Sequence, residues 1–241
     1  MTDRPHPPHI LITGASRGIG KAAADLLRGT NVKLVTQATT TRSGAILAAD
    51  FEQTGAAAGL WNAALDKLDG RIDVLINNAG IFEALPIDQA DDDWRDDFER
   101  TLRINLTASA ELCRLAVRHF SERGGGRIVN IASRAAYRGD SPDHWHYAAS
   151  KGGMVAMTKT IARGYAAQNI YAFAICPGFV MTGMAEDYLE SRGGQKLLAD
   201  IPLGRVATPQ EVAETIRFCA LDAPPSMTGA VLDINGASYV R

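Results

Sequence analysis

The sequence predicts an α/β protein in which a doubly wound parallel sheet of about seven strands forms a single domain. Short apolar runs of strand length recur along the chain, and segments with the helical spacing of apolar residues separate them. Because a parallel crossover needs a helix to bring the chain back, this alternation favours a parallel sheet covered on both faces. The predicted strands span residues 9–13, 32–37, 44–49, 72–77, 127–131, 170–176 and 230–234.

Two of the segments between strands have clear helical periodicity. The first places apolar side chains at Leu60, Trp61, Ala64, Leu65 and Leu68. The second carries them at Leu102, Leu106, Leu112, Leu115 and Val117, and we expect one helix there. Ligands of such folds bind beyond the carboxyl ends of the strands, so chemistry should follow each apolar run.

Composition limits the classes of partner. The chain has 241 residues, of which 46% are hydrophobic, and a formal net charge of -2, so it can bury one core and has no basic excess for nucleic acid. No apolar run approaches the roughly 20 residues of a membrane-spanning helix. The three scattered cysteines are typical of reduced thiols, so we expect a cytoplasmic protein. We also expect a flexible tail at 1–8 and a single domain at 9–241.

A glycine-rich turn follows the first predicted strand and opens a helical stretch. It reads Thr13-Gly14-Ala15-Ser16-Arg17-Gly18-Ile19-Gly20. Glycines let the backbone approach a pyrophosphate, and the free amides of the next helix stabilise its charge. We therefore predict a Rossmann-type dinucleotide site, although a plain strand-to-helix turn is the alternative. Its predicted cofactor-binding residues are Gly14, Ser16, Arg17, Gly18, Ile19 and Gly20.

The end of the second strand favours NADP(H) over NAD(H). NAD-binding relatives of this fold carry an acidic residue about 20 positions after the glycines. Residues 35–40 contain no carboxylate, whereas Arg17 and Thr39 could bind a 2′-phosphate through charge-assisted hydrogen bonds. Arg17 could instead be a solvated surface residue. We assign Asp50, after the third strand, to the adenine side of the pocket.

Tyr147 and Lys151 form a candidate proton-transfer pair. They are four residues apart in Tyr147-Ala148-Ala149-Ser150-Lys151, and on a helix this spacing places both on one face. A neighbouring ammonium is expected to stabilise phenolate and to lower the tyrosine pKa from about 10. The pattern alone is weak evidence.

Further motifs carry a family resemblance. Ser133 follows the fifth strand fourteen residues before Tyr147, Asn77-Asn78-Ala79-Gly80 closes the fourth strand, and Asn105 lies in Arg103-Ile104-Asn105-Leu106. Together with the glycine turn, these motifs resemble the short-chain dehydrogenase/reductase family, and most closely its 3-oxoacyl-[acyl-carrier-protein] reductase-like members. The resemblance runs from about His9 to the end of the chain. Phe173 and Asn235-Gly236-Ala237 depart from the usual pattern, away from the predicted chemistry.

The resemblance implies an NADP(H)-dependent oxidoreductase that interconverts a carbonyl and a secondary alcohol on a small-molecule or acyl-thioester substrate, in a homotetramer or homodimer. The implied catalytic residues are Asn105, Ser133, Tyr147 and Lys151. Besides the glycine turn, Thr39 and Asp50, the implied cofactor contacts are Asn78, Ala79, Gly80, Tyr147, Lys151, Pro177, Gly178, Val180 and Thr182. The implied substrate contacts are Ser133, His144, Tyr147 and Met184.

Two alternative functions remain open from the sequence. A catalytically silent NADP(H) sensor would use the same nucleotide pocket, but it would not need Ser133, Tyr147 and Lys151. A carrier-protein docking module would need a basic surface, which Arg134 and Arg138 could supply. His144 and His146 are spaced by two and would not share a helix face, so we expect no metal.

Overall fold

The computed structural model describes residues 6–40, 46–181 and 194–240. Its sheet has seven strands in the order β3-β2-β1-β4-β5-β6-β7, and every neighbouring pair is parallel. This confirms the predicted doubly wound α/β fold. The strands are β1 (His9–Ile12), β2 (Lys33–Ala38), β3 (Ile46–Ala48), β4 (Val74–Asn77), β5 (Gly126–Ile131), β6 (Ile170–Pro177) and β7 (Val231–Ile234).

The helices follow the strands in the expected alternation. In the described ranges they are α1 (Gly18–Arg28), α2 (Ala56–Lys67), α3 (Asp91–Leu102), α4 (Ala108–Arg123), α5 (Ala135–Arg138), α6 (Trp145–Tyr165), α7 (Gly194–Ala199) and α8 (Pro209–Arg217). No helix in those ranges is long and apolar enough to cross a membrane.

The core consists of two layers, one on each face of the sheet. On β1, Leu11 packs on the face covered by α2, α4 and α6, whereas Ile10 and Ile12 pack on the face covered by α1 and α8. Successive residues of a strand point to opposite faces, so a continuous apolar run is what a strand buried on both faces requires. The order of the strands reverses between β1 and β4, which places the binding crevice at the carboxyl ends of these two strands.

The sequence predicted one helix through Leu102 to Val117, and the structure corrects this. A π-helical turn spans Arg103–Thr107 and joins α3 to α4. Such turns insert an extra residue into a helix and are frequent at functional sites, and Asn105 is at the centre of this one. Two predicted strands are also shorter than expected, since β4 starts at Val74 and the described part of the third begins at Ile46.

Candidate active site

Glycines are required at the turn between β1 and α1 because two backbone segments meet there. Gly14 and Gly18 have φ values of +67° and +55°. A Cβ on Gly14 would lie 2.7 Å from Ala79 Cα, and one on Gly20 would lie 2.2 Å from Gly14 O. The turn therefore forms a tight cradle with no side chains between the backbone and the first amides of α1, which is the shape that a pyrophosphate needs.

Thr13 and Asn78 fasten this turn to the end of β4. The Thr13 hydroxyl oxygen accepts hydrogen bonds from the backbone amides of Asn78 and Ala79, both at 3.0 Å. Asn78 Nδ2 donates to the carbonyl oxygens of Thr13 and Gly14, also at 3.0 Å. Asn78 and Ala79 thus lie directly against the cradle, as expected for cofactor contacts, and Thr13 is a support that the sequence analysis did not assign.

Gln37 is a second residue that the sequence analysis missed. Its side chain is 1% exposed, accepts a hydrogen bond from Gly14 N at 2.8 Å and donates to Ala49 O at 2.7 Å. Its backbone oxygen accepts from Ala15 N at 2.9 Å. Gln37 therefore braces the glycine turn against β2 and the chain that follows β3. The available signal was a polar residue inside an otherwise apolar strand, since buried polar groups need partners.

The residues proposed to contact the adenosine half of the cofactor lie in the glycine turn and directly after β2 and β3. Ser16, Arg17 and Thr39 are exposed there. Asp50 is partly buried after β3 and accepts a hydrogen bond from Glu52 N at 3.1 Å. Exposed Arg17 stands at the N-terminus of α1, where its charge adds to the positive end of the helix.

Asn105 is fully buried in the π-helical turn. Its Oδ1 accepts from Ile81 N at 2.8 Å, and its Nδ2 donates to Ile81 O at 3.0 Å and to Ser150 Oγ at 3.3 Å. Gly80 lies beside it, since a Cβ there would be 3.2 Å from Asn105 Oδ1 and 3.5 Å from Lys151 Nζ. The side chain thus connects the segment after β4 to α6, close to the lysine.

Ser133, Tyr147 and Lys151 come together at the carboxyl end of β5. Ser133 lies close enough to Tyr147 to favour its phenolate by hydrogen bonding, and Lys151 Nζ lies 5.7 Å from the centre of the tyrosine ring. The ammonium donates to Ile131 O at 2.8 Å in a buried position. The structure therefore brings together Ser133, Tyr147 and Lys151, the three residues that the family resemblance implied as one catalytic unit.

The pKa of Tyr147 differs from the sequence prediction. Burial raises the pKa of Tyr147 to about 12, and the hydrogen bond from Ser133 only partly opposes it. Burial also lowers the pKa of Lys151 to about 8. The expected lowering of the tyrosine pKa is therefore absent, because desolvation outweighs a lysine whose ammonium is directed at a backbone carbonyl.

The loop after β6 supplies backbone groups to the same edge. Gly178 N donates to Ile234 O at 2.9 Å, and a Cβ on Gly178 would lie 2.9 Å from Asn235 Cβ. Ala207 pairs with the flanks of Val180, because its amide donates to Phe179 O and its carbonyl oxygen accepts from Met181 N. The amide and carbonyl of Val180 consequently point away from Ala207. Pro177 is buried, and Thr182 and Met184 lie outside the described residues.

An aromatic wall stands beside Tyr147. The Phe82 ring stacks on His144, with centroids 4.0 Å apart, and meets the Tyr147 ring edge-on at 4.7 Å. His144 Nδ1 lies 2.6 Å from Ser141 Oγ, and burial lowers the pKa of His144. His144 is thus next to the site, as expected, and Phe82 was missed although it stands two residues after Gly80. Among the described residues, no three His, Cys, Asp or Glu side chains are grouped to hold a metal ion.

The sequence is similar to those of several named enzymes over nearly the whole chain. Residues 14–237 match the family model described as enoyl-(acyl carrier protein) reductase. The 3-oxoacyl-[acyl-carrier-protein] reductase of Synechocystis sp. is 37% identical, over 94% of this chain and 94% of that protein, and the enzyme of that name from Escherichia coli is 32% identical, over 95% and 96%. Ligand-free aldohexose dehydrogenase of Thermoplasma acidophilum superposes with a TM-score of 0.85 at 25% identity, over 98% and 95% of the two chains. The chain belongs to the short-chain dehydrogenase/reductase family.

Proposed function

We propose that this oxidoreductase uses NADP(H) to interconvert a carbonyl and a secondary alcohol, with Tyr147 as the general acid or base. The observation that carries the proposal is the grouping of Ser133, Tyr147 and Lys151 beside the glycine cradle, at the strand ends where this fold binds ligands. The names of the curated relatives make 3-oxoacyl thioesters one candidate substrate class.

The chain fits a nicotinamide dinucleotide at this edge. Gly14 and Gly20 leave a cradle that a Cβ would fill, and the amides at the start of α1 would hold the pyrophosphate. Arg17 and Thr39 would bind a 2′-phosphate, and residues 35–40 offer no carboxylate to repel it. Val180 would offer its backbone amide and carbonyl to the carboxamide. When bound, the nicotinamide supplies or accepts the hydride.

The protein's own groups handle the oxygen and the proton. Ser133 and Tyr147 would both hydrogen-bond the substrate carbonyl oxygen and so stabilise the negative charge that develops on it. Tyr147 holds its proton in the free protein because burial raises its pKa to about 12, so in the reducing direction it is ready to donate. Phe82 and His144 would exclude water from one side of the reacting carbon.

Lys151 and Asn105 would return the proton to Tyr147. Lys151 uses one of its three hydrogens on Ile131 O, which leaves two for a ribose hydroxyl and for the proton route. Gly80 keeps the space between Asn105 and Lys151 free of a side chain. A water held between Asn105 and Lys151 would relay a proton from solvent to the lysine.

The test is turnover of NADPH and NADH with a panel of β-ketoesters, diketones and acetoacetyl thioesters, followed at the nicotinamide absorbance. We expect NADPH oxidation in the wild type and a fall of about 100-fold to 10,000-fold in Tyr147→Phe, with cofactor binding retained. Tight NADPH binding without turnover of any compound would favour the sensor alternative. A clear preference for NADH would contradict the roles of Arg17 and Thr39.

A further inference from the structure

Arg134, the residue after Ser133, is a buried cation at the edge of the proposed active site. It is 8% exposed, and its backbone amide donates to Pro177 O at 2.9 Å, which places it between the ends of β5 and β6. Its guanidinium carbon lies 4.8 Å from the centre of the Phe179 ring. By sequence, Arg134 and Arg138 could form a basic docking surface, but at 8% exposed Arg134 offers little surface to a protein, and only a small group could reach it.

One nitrogen of this guanidinium has no hydrogen-bond partner. Arg134 Nη1 is buried, and the nearest acceptor assigned to it, Asp200 Oδ2, is 3.6 Å away, beyond a hydrogen bond. Leaving a buried charged donor unpaired is costly, and burial together with the charge of Arg138 lowers the pKa of Arg134. An additional acceptor at Arg134 Nη1 would therefore be stabilised.

The carboxylates nearby are already engaged. Asp200 Oδ2 accepts from Arg138 Nη1 at 2.6 Å, and this hydrogen bond lowers the pKa of Asp200. Asp140, the other acidic residue that influences Arg134, is exposed and accepts from Ser141 N at 2.8 Å. Asp200 is shared by two arginines, since its Oδ2 accepts from Arg138 at 2.6 Å and lies 3.6 Å from Arg134 Nη1, so one carboxylate faces two cations and Arg134 keeps donor capacity for a further anion.

Position identifies the source of that anion. Consecutive Cα atoms are about 3.8 Å apart, so Arg134 starts next to the serine proposed to bind the reacting carbonyl. Phe179 stands immediately before Val180, on the loop proposed to hold the nicotinamide end. An anion at Arg134 would therefore be carried by the substrate itself, within a few bonds of the reacting carbon, and a planar guanidinium matches a carboxylate.

We propose that Arg134 binds the free carboxylate of the substrate, so that the enzyme acts on oxo acids and the corresponding hydroxy acids. The proposal rests on the reductase function above and narrows its substrate class. A thioester or an amide of the same acid carries no charge at this position, and it would leave Arg134 Nη1 unpaired in the complex.

The experiment compares acids with primary amides of nearly the same shape. The pairs are 3-oxobutanoate, 4-oxopentanoate and 5-oxohexanoate with their amides, each with NADPH and the wild-type protein. We expect kcat/KM for the acid to exceed that for its amide by at least about tenfold in one or more pairs, mainly through KM. Turnover of the amides and diketones without preference for any acid would overturn this proposal and leave the reductase function intact.

Three substitutions locate the effect. Arg134→Met removes the charge at similar volume and should bring the acid-to-amide ratio to within about twofold of one, whereas Arg134→Lys should restore part of it. Arg138→Met frees Asp200 Oδ2, which lies 3.6 Å from Arg134 Nη1, to neutralise Arg134, and it should therefore weaken the preference. If the preference survives in Arg134→Met, the anion is bound elsewhere and the proposal is wrong.

A binding measurement covers the case in which no compound is turned over or Arg134→Met does not fold. The acids should raise the melting temperature of the wild-type NADPH complex, and the amides should not. Equal shifts from acids and amides, or no shift from either, would overturn the carboxylate site. A selective shift without turnover would support the site while contradicting the reductase function.

Discussion

The side chain of Asn105 pairs with the backbone of Ile81 through both of its polar atoms, at 2.8 Å to the amide and 3.0 Å to the carbonyl. This pairing ties the π-helical turn to the segment after β4 that carries Gly80. Asn105 therefore fixes the segment after β4 beside Lys151, in addition to any part in proton transfer.

Replacing Asn105 with alanine should destabilise the protein and slow turnover. The substitution leaves the amide and carbonyl of Ile81 without side-chain partners, at a cost on the order of 3 kcal/mol. Chemical denaturation measures the free energy of unfolding. Ser109→Ala, which removes one 3.4 Å hydrogen bond to Asn105 O, is the control and should have a much smaller effect. Equal stability of the two variants would contradict the bracing role.

Lys151 should make stability depend on pH above neutrality. Burial lowers its pKa from 10.5 to about 8, so between these values the unfolded chain binds more protons and stability rises with pH. The wild type should gain on the order of 3 kcal/mol relative to Lys151→Met between pH 7 and 10.5. The raised pKa of Tyr147 acts in both proteins and cancels. The measurement is the free energy of unfolding of both proteins as a function of pH. The same pH dependence in the wild type and in Lys151→Met would show that the folded lysine keeps its ordinary pKa.

Tyr147 should remain protonated in the free protein at alkaline pH. Its pKa is raised from 10.0 to about 12, mainly by burial, so it should contribute almost no phenolate at pH 10. The difference in phenolate absorbance between the wild type and Tyr147→Phe reports this residue alone. A difference that titrates below pH 10 would mean that the charge of Lys151 outweighs desolvation.

Alanine substitutions at two helical glycines should change the stability of the fold in opposite directions. Gly20→Ala would place a Cβ 2.2 Å from Gly14 O, so it should abolish NADPH binding and destabilise the fold by about 2 kcal/mol or more. Gly59, in α2, has nothing within 4 Å of its would-be Cβ, and Gly59→Ala should stabilise by about 0.5–1 kcal/mol. Thermal unfolding measures the stability of the two variants, and fluorescence titration measures their NADPH binding. Normal NADPH binding in Gly20→Ala would refute the cradle.

Arg17 should distinguish the two cofactors. Arg17→Ala should weaken NADPH binding by roughly 10-fold to 100-fold, because a charged hydrogen bond contributes about 1.5–3 kcal/mol, and should leave NADH binding nearly unchanged. Arg28→Ala, at the other end of α1, removes an exposed arginine paired with Asp25 and serves as the control. An equal loss for both cofactors would mean that Arg17 does not contact the 2′-phosphate.

Local patterns in the sequence predict the α/β fold and its seven strands, since apolar runs, helical spacing and a glycine turn each constrain the backbone within a few residues. The grouping of Ser133 with Tyr147 and Lys151 is implied by the resemblance to the short-chain dehydrogenase/reductase family. The π-helical turn at Asn105, the bracing by Gln37 and the burial that raises the pKa of Tyr147 become visible only in the folded protein. These depend on which distant segments meet, as Gln37 meets Gly14 and Arg134 meets Phe179. Desolvation and unpaired polar groups result from these contacts between distant segments, so they cannot be predicted from local sequence patterns.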